Sequence, residues 1–442
     1  MSKNADAVTD FSKSLMRREL PNDVVVAARF AVVDWFGVAL GAADQKPVKA
    51  LKCAVDKWQS AGRAHILLNG HTGAAPAALV NGMMAHCLDF DDTHVRSIAH
   101  LSGPIFAASY AAGTEIGATP AAIFRAFVAG FEVGSRIGGG GFGVAINERN
   151  IHSTGVCGCI GAAVAASLLY ELDANTLKCA IGLAATQVAG LTASFGTPGK
   201  PFHVGKAAMN GVLAAQMAGE GFEGSPDLIE PDGGLDRALV QDRSVLIREF
   251  DFEEGWEITR NTFKPYASCL LTHPVIDAGR KLATKIDLSD IEEVKVRVHP
   301  LAIQLAGKPD PQTPFEGKFS LAFCTALSLD GRAVTQLDFT PSAIADEKLR
   351  SIVQKVTLEP VSQMEKTAAE VEVVDRKARH HVERTALALG NPGNPMSWGD
   401  LERKFISLTE PVLHRNALQL FESLTKFDRL TDVSHIVELA SL

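Results

Sequence analysis

The sequence lacks the features that mark a nucleic-acid protein, a secreted scaffold or a membrane protein. Its 442 residues carry 43 Lys and Arg against 51 Asp and Glu, a net charge of -8. Nucleic-acid binding instead depends on a surplus of cations to neutralise phosphates. The seven cysteines, Cys53, Cys87, Cys157, Cys159, Cys179, Cys269 and Cys324, are odd in number and scattered. That fits reduced thiols in a reducing compartment rather than a disulfide framework. Cys157 and Cys159 form the closest pair and have no second pair to complete a zinc site. The N-terminal stretch MSKNADAVTDFSKSLMRREL has no apolar signal-peptide core. The uncharged run between His152 and Glu171 is Gly/Ala-rich and just short of the ~20 residues of a bilayer span, so it reads as a buried helix. There is no fixed-period repeat and no low-complexity tract. The expectation is a cytoplasmic protein with no nucleic-acid or membrane partner.

What is present is average globular composition, 46% hydrophobic and 21% charged, at a length that exceeds one ordinary core and predicts two domains. Pro21-Asn22-Asp23 is a helix-start signal. Val26, Phe30, Val33, Gly37 and Leu40 follow it at alternating steps of four and three, which predicts a helix over 21–43. Ala-rich helical stretches recur at 75–88, 103–116, 119–137, 154–170, 176–192 and 205–219, and their Gly and Ala allow close helix approach. After about residue 260 the texture changes. EVKVRVH (293–299) alternates Val with charge, as a half-buried strand does, and 355–359, 369–375 and 380–385 read the same way. Helical stretches at 316–330 and 342–354 lie between the first two strands. The predicted fold is mainly α: a large all-helical domain (1–261, resumed at 399–442) and a smaller α+β lid domain (262–398) of antiparallel strands with helices on one face.

Gly138 to Gly143 formally satisfies G-x-G-x-x-G, but the dinucleotide fingerprint needs a strand before it. The preceding AAIFRAFVAGFEVGSRI is helical, so the run reads as a helix-terminating loop. His86 to His94, HCLDFDDTH, together with His100 concentrates carboxylates and imidazoles. Its spacing matches no fixed metal motif, and an Asp orienting a catalytic His is the preferred reading. Two further segments put cations ahead of predicted helices with small first residues. His152 precedes the helix at 154, with Ser153 or Thr154 as expected N-cap, and Lys200 and His203 precede the helix at 205. Lys264 and Ser268 similarly precede a helix containing His273. Helix N-termini hold anions through free N–H groups and a positive dipole end. In an acidic protein, three such segments point to a carboxylate-binding pocket.

Five ordered blocks, HCLDFDDTH, IHSTGVCG, GKPFHVGKAAMNG, FKPYASCLLTHPVIDA and FEGKFSLAFCTALSLDG, resemble the MmgE/PrpD family, which includes 2-methylcitrate dehydratase, cis-aconitate decarboxylase and iminodisuccinate epimerase. The resemblance spans nearly the whole chain. It implies a helical domain plus an α+β lid, a homodimer, and catalysis without metal or organic cofactor on a small polycarboxylate. It also implies a pocket lined by Asp89, Thr93, His100, His152, Lys200 and Lys264. Where decarboxylases of the family carry a Tyr on the helix at 316–330, this sequence has Ala322.

All three chemistries pass through charge at a carbon beside a carboxylate, which calls for fixed positive groups and a base near neutral pKa. The expected catalytic residues are Asp89, His100, His152, Lys200 and Lys264, with Asp89 holding a His in its working tautomer. Thr93, Ser153, His203 and Ser268 are expected to bind substrate, and no residue is assigned to a metal. The leading expectation is a hydro-lyase on a hydroxy di- or tricarboxylate. An epimerase of a substituted succinate, a decarboxylase and a non-enzymatic organic-acid-binding protein are the alternatives. Because the spacing fits no metal site, prolonged EDTA treatment should leave turnover intact. Activity lost and then restored by a divalent ion would instead make Asp89, Asp91 and Asp92 ligands.

Overall fold

A computed structural model describes residues 3–441 except 227, 228, 230–233, 241–244, 246 and 248. The chain divides into two compact units, Met1–Phe263 with Trp398–Leu442, and Lys264–Ser397.

The first unit is a helical body. Its central helices are Asn22–Gly41, Ala74–Cys87, Ser102–Ile116, Pro120–Gly138, Ser153–Leu169 and Gly199–Gly219. All 17 residues of Ser153–Leu169 are buried, which is why that stretch has no polar face to read. Small residues let backbones touch: a Cβ on Gly205 would lie 2.2 Å from the Leu79 carbonyl oxygen. The helices Ala74–Cys87 and Gly199–Gly219 can pack at that spacing only because glycine stands there. An aromatic cluster of Trp35, Phe36, Phe106, Tyr110, Phe127 and Phe131 fills the adjoining core, each ring contributing roughly 1.5–3 kcal/mol by burial. Asn22–Gly41 is long and apolar enough to cross a membrane. Most of it is nonetheless buried, and it carries Asp34 paired with Lys404.

Several boundaries differ from expectation. The helix predicted over 176–192 spans Ala174–Ala185; beyond it Leu191 bridges to Ile151 as extended chain. The helix predicted over 205–219 starts six residues earlier, at Gly199. Pro201 does not break it, because a first-turn proline lacks only an N–H that has no helical partner. The body is also not all-helical. Ala64–Ile66 and Gly70–Thr72 form a two-stranded antiparallel hairpin, with strands too short to give a period-2 signal. The glycine run behaves as a helix terminator: the helix ends at Gly138, and Gly140 and Gly141 take φ of 61° and 98°.

The second unit is a four-stranded sheet with helices. Val294, Val296 and Val298 of the strand Ile291–Val298 are buried, while Arg297 on the opposite face meets Glu359, Glu370 and Glu372 at 2.7–2.8 Å. The sheet is mixed rather than antiparallel, because Ile291–Val298 pairs in parallel with Val356–Pro360 and antiparallel with Ala369–Asp375. The helices between the first two strands supply the crossover that parallel pairing requires. The predicted 316–330 helix is two helices, Pro314–Gly317 and Leu321–Leu329, the second capped by Ser320. The predicted 342–354 helix is likewise split, with Asp346 capping Glu347–Val353.

One histidine ties the fold to pH. His65 in the hairpin is fully buried, with Nδ1 2.7 Å from the Tyr110 hydroxyl and Nε2 3.3 Å from Ser441 Oγ. Burial, helped by His71, lowers its pKa from 6.5 to about 4. The unfolded chain takes up this proton at a higher pH than the folded chain, so acidification favours unfolding. The stabilisation is intact above pH 6.5 and lost as pH falls toward 4. Between pH 7 and pH 4.5, denaturant titration should show wild type losing about 2 kcal/mol more than a His65→Asn variant. Equal losses in both proteins would contradict this account.

Candidate functional site

The site in the first unit grows from a turn at the end of the Ala74–Cys87 helix. Asp89 takes φ of +52°, a left-handed conformation that Asp tolerates better than most residues. Three successive carboxylates thereby reach three sets of partners. Asp89 forms an ion pair with Lys200, both residues being 6% exposed. Asp91 places both carboxylate oxygens 2.8 Å from His86 Nδ1 and one of them 3.5 Å from His100 Nδ1. Asp92 accepts from Ser102 Oγ and Asn261 Nδ2. Burial pushes Asp92 up to about 7 against the pull of Ser102, and the nearby charges of Asp34 and Asp91 raise it further.

Asp91 thus holds His86. A carboxylate only accepts, so His86 Nδ1 carries the hydrogen. His100 is fixed in the same way, since its Nδ1 lies 2.7 Å from the backbone carbonyl of Asp92. Thr93 Oγ1 sits 3.3 Å from His100 Nδ1, and the Thr93 backbone pairs with Thr262 in both directions at 2.7 and 3.0 Å.

The second wall is the start of the helix Ser153–Leu169. His152, not Ser153 or Thr154, occupies the N-cap position. Ser153 is the first helical residue, and its hydroxyl donates to the Ile98 carbonyl, while Thr154 Oγ1 accepts from the His100 N–H at 3.1 Å. Both side chains thus fasten the 98–100 segment to the helix instead of capping it. The His152 N–H bonds the Gly190 carbonyl at 3.0 Å. Gly190 has φ of +135°, and a Cβ there would meet His203 Nδ1 at 3.0 Å and His152 Cβ at 3.2 Å. Only glycine leaves room for the two imidazoles to approach.

Lys200 lies within the first turn of Gly199–Gly219 rather than ahead of it, as expected from the sequence. His203, one turn on, brings its Nδ1 to 3.2 Å from His152 Nδ1. One of the two nitrogens must donate and the other accept. The rings of His100, His86, His152 and His203 form a chain with centroid separations of 4.4, 6.1 and 5.5 Å. Phe195 closes one side, 5.0 Å from the His152 ring and 5.2 Å from the Lys200 ammonium. Desolvation, followed by the Lys200 charge, holds His152 well below the usual histidine range; His203 is lowered for the same two reasons. His152 is therefore a neutral imidazole beside a fixed cation.

His86, Asp89 and His100 offer ligand atoms within 4.8 Å of one another, a spacing a metal could use. Asp89, however, already faces the Lys200 ammonium, whose charge would repel a dication. The structure thus groups Asp89, Thr93, His100, His152, Ser153, Lys200 and His203. It adds His86 and Asp91, which were not among the predicted site residues. A histidine near a helix end with an Asp five residues on was the available signal, but the left-handed turn that joins them is not readable from the sequence. Lys264 is buried at the start of the second unit. In that unit Ser268 Oγ lies 2.8 Å from Thr272 Oγ1, and the Ser268 carbonyl 3.2 Å from His273 Nε2.

Comparison with known proteins gives this arrangement a family. The MmgE/PrpD N-terminal domain matches residues 6–248 and the MmgE/PrpD C-terminal domain residues 266–426. A cis-aconitate decarboxylase of Aspergillus terreus is 25% identical over 98% of this chain and 94% of its own length. The cis-aconitate decarboxylases of Homo sapiens and Mus musculus are 26% and 24% identical, each over 82% of this chain and 78% of their own. With both family domains matched across most of its length, this chain belongs to the MmgE/PrpD family.

Proposed function

We propose that the protein is a lyase that needs no metal or organic cofactor and acts on a small hydroxy di- or tricarboxylate, removing water after proton abstraction next to a carboxylate. The observation that carries this reading is the neutral, buried His152 beside the Lys200–Asp89 ion pair. A polyanion entering the site neutralises Lys200. After burial, the Lys200 charge is the largest cause that keeps His152 unprotonated, so relieving it on substrate binding strengthens the base. The Nε2 of His100 is a second such base. As the C–H bond breaks, charge develops on the adjacent carboxylate, and Lys200 stabilises it in a water-poor setting where a fixed cation counts most. The abstracted proton, or that of a protonated imidazole, goes to the departing hydroxyl. One C–H and one C–O bond break, an alkene forms and water leaves. His203, Thr93 and Ser153 flank this chemistry; the roles proposed for Lys264 and Ser268 rest on the family resemblance.

A second reading is decarboxylation of a cis-aconitate-like acid, which the names of the relatives favour. Ala322, buried on the helix Leu321–Leu329, supports dehydration instead, since it offers no hydroxyl to return a proton after loss of carbon dioxide.

Lys200→Met should cost about 10²-fold in kcat, comparable to losing an oxyanion donor, with the circular dichroism spectrum unchanged. A rise in KM alone would make Lys200 a group that binds substrate and transition state equally. The reaction class is read by incubating a panel of di- and tricarboxylates with the enzyme in deuterium oxide and following proton NMR and ultraviolet absorbance. Alkene formation with solvent deuterium incorporation, and no carbon dioxide from cis-aconitate, is the expected outcome. Carbon dioxide release moves the protein to the second reading. Deuterium incorporation with inversion and no alkene makes it an epimerase, and binding without turnover removes the enzyme reading altogether.

A further inference from the structure

The turn that aims Asp89 and Asp91 is held from behind by a residue more than 300 positions away. Lys404, on the helix Trp398–Leu413 of the first unit, is 6% exposed. Its ammonium donates to the Phe90 backbone carbonyl at 2.6 Å and to Asp34 Oδ1 at 2.6 Å, and it stands 4.0 Å from the centroid of the Phe90 ring. Phe90 lies between the two carboxylates that face Lys200 and His86. A buried ammonium on that carbonyl fixes the peptide plane joining residues 90 and 91. The preceding residue, Asp89, has the left-handed φ of +52°, a strained conformation that persists only where surrounding contacts over-determine it.

The supporting helix is itself brought in closely. A Cβ on Gly37 would lie 2.9 Å from a ring carbon of Phe405, and one on Gly41 would lie 2.9 Å from Leu408. The helix Asn22–Gly41 therefore presents two bare backbone patches that seat Trp398–Leu413 within reach of Phe90. Lys404 extends into the interior on one side of that contact, where Asp34 balances its charge. If Asp34 were its only purpose, the ion pair would be a poor investment of two buried charges, because such pairs often do no better than an apolar replacement. The Phe90 carbonyl supplies the other purpose.

We propose that Lys404 is a positioning residue: by clamping the Phe90 carbonyl it holds the 89–91 turn so that Asp89 meets Lys200 and Asp91 meets His86 and His100. The consequences for turnover rest on the function proposed above; the clamp itself does not. The test compares Lys404→Met, Asp34→Asn and the double variant by three readouts. These are thermal midpoint, kcat on the acid identified in the panel, and the downfield proton NMR signal of His86 Nδ1–H against Asp91, assigned by its loss in His86→Asn.

Lys404→Met removes the ammonium that balances buried Asp34, so it should lower the thermal midpoint, abolish the downfield signal and reduce kcat about tenfold or more, with KM changed less. The double variant removes both charges. It should recover the midpoint while the signal stays absent and kcat stays low. Asp34→Asn keeps the link to Phe90 and should retain the signal. A double variant that recovers both signal and kcat would show that Lys404 serves only to balance Asp34, and the clamp is then wrong. Persistence of the signal in Lys404→Met overturns the clamp without touching the proposed reaction. Loss of the signal with kcat unchanged leaves the clamp standing and overturns the catalytic importance assigned to the turn.

Discussion

The ion pair between Asp89 and Lys200 is the constraint around which the rest of the site is arranged. It is nearly excluded from water, and burying two charges costs several kcal/mol each before their attraction is counted. Its value to the protein is therefore better sought in what it does to its neighbours. Lys200 adds to the desolvation that depresses His152 and His203, and Asp89 offsets the ammonium's charge. Under the proposed function the protein holds a cation in reserve, partly masked by a carboxylate that a substrate carboxylate would relieve. Electrostatic preorganisation of this kind is usually the largest contribution an enzyme makes to a reaction that develops negative charge.

The framework that supports the pair is built from close contacts that only small residues permit. Gly205 brings the Lys200 helix against the helix that ends in His86, and Gly190 lets two imidazoles approach. The left-handed Asp89 then divides adjacent carboxylates between different partners. Each carboxylate consequently has its own duty. Asp89 masks a cation, Asp91 fixes the tautomer of His86 and borders His100, and Asp92 stays protonated to a much higher pH than an ordinary aspartate because burial dominates its surroundings. The second unit contributes a mixed sheet whose outer face is tied together by Arg297 bridging three glutamates.

Much of this was legible in the residues. Most long helices with an apolar 3.6-residue period, and the strands that alternate Val with charge, lie within a few residues of where their periodicity puts them, since it reports directly on one buried face; the helices expected over 176–192 and 205–219 differ at one end by seven and six residues. The cluster HCLDFDDTH and the Lys200 segment were recognisable because charge in a small-residue environment is conspicuous. What could not be read was direction. Which of three neighbouring aspartates meets which partner depends on one left-handed φ at Asp89. Lys200, read as preceding a helix at 205, lies in the first turn of one that starts at Gly199, where Pro201 is tolerated because its missing N–H has no helical partner. The parallel strand pair escaped notice because pairing direction is a property of the connection, not of either strand. Lys404 was invisible for a different reason: its target is a backbone carbonyl, and no sequence motif marks such a contact.

The central claim is that His152 waits as a neutral imidazole whose proton affinity rises when a polycarboxylate neutralises Lys200. It is tested most directly by following the His152 imidazole nitrogens by NMR in isotopically labelled protein across pH, alone and with saturating citrate. The account predicts a titration well below 6.5 in the free protein and an upward displacement with citrate bound. A His152 that titrates at or above its ordinary value, or that does not respond to the bound acid, would contradict it.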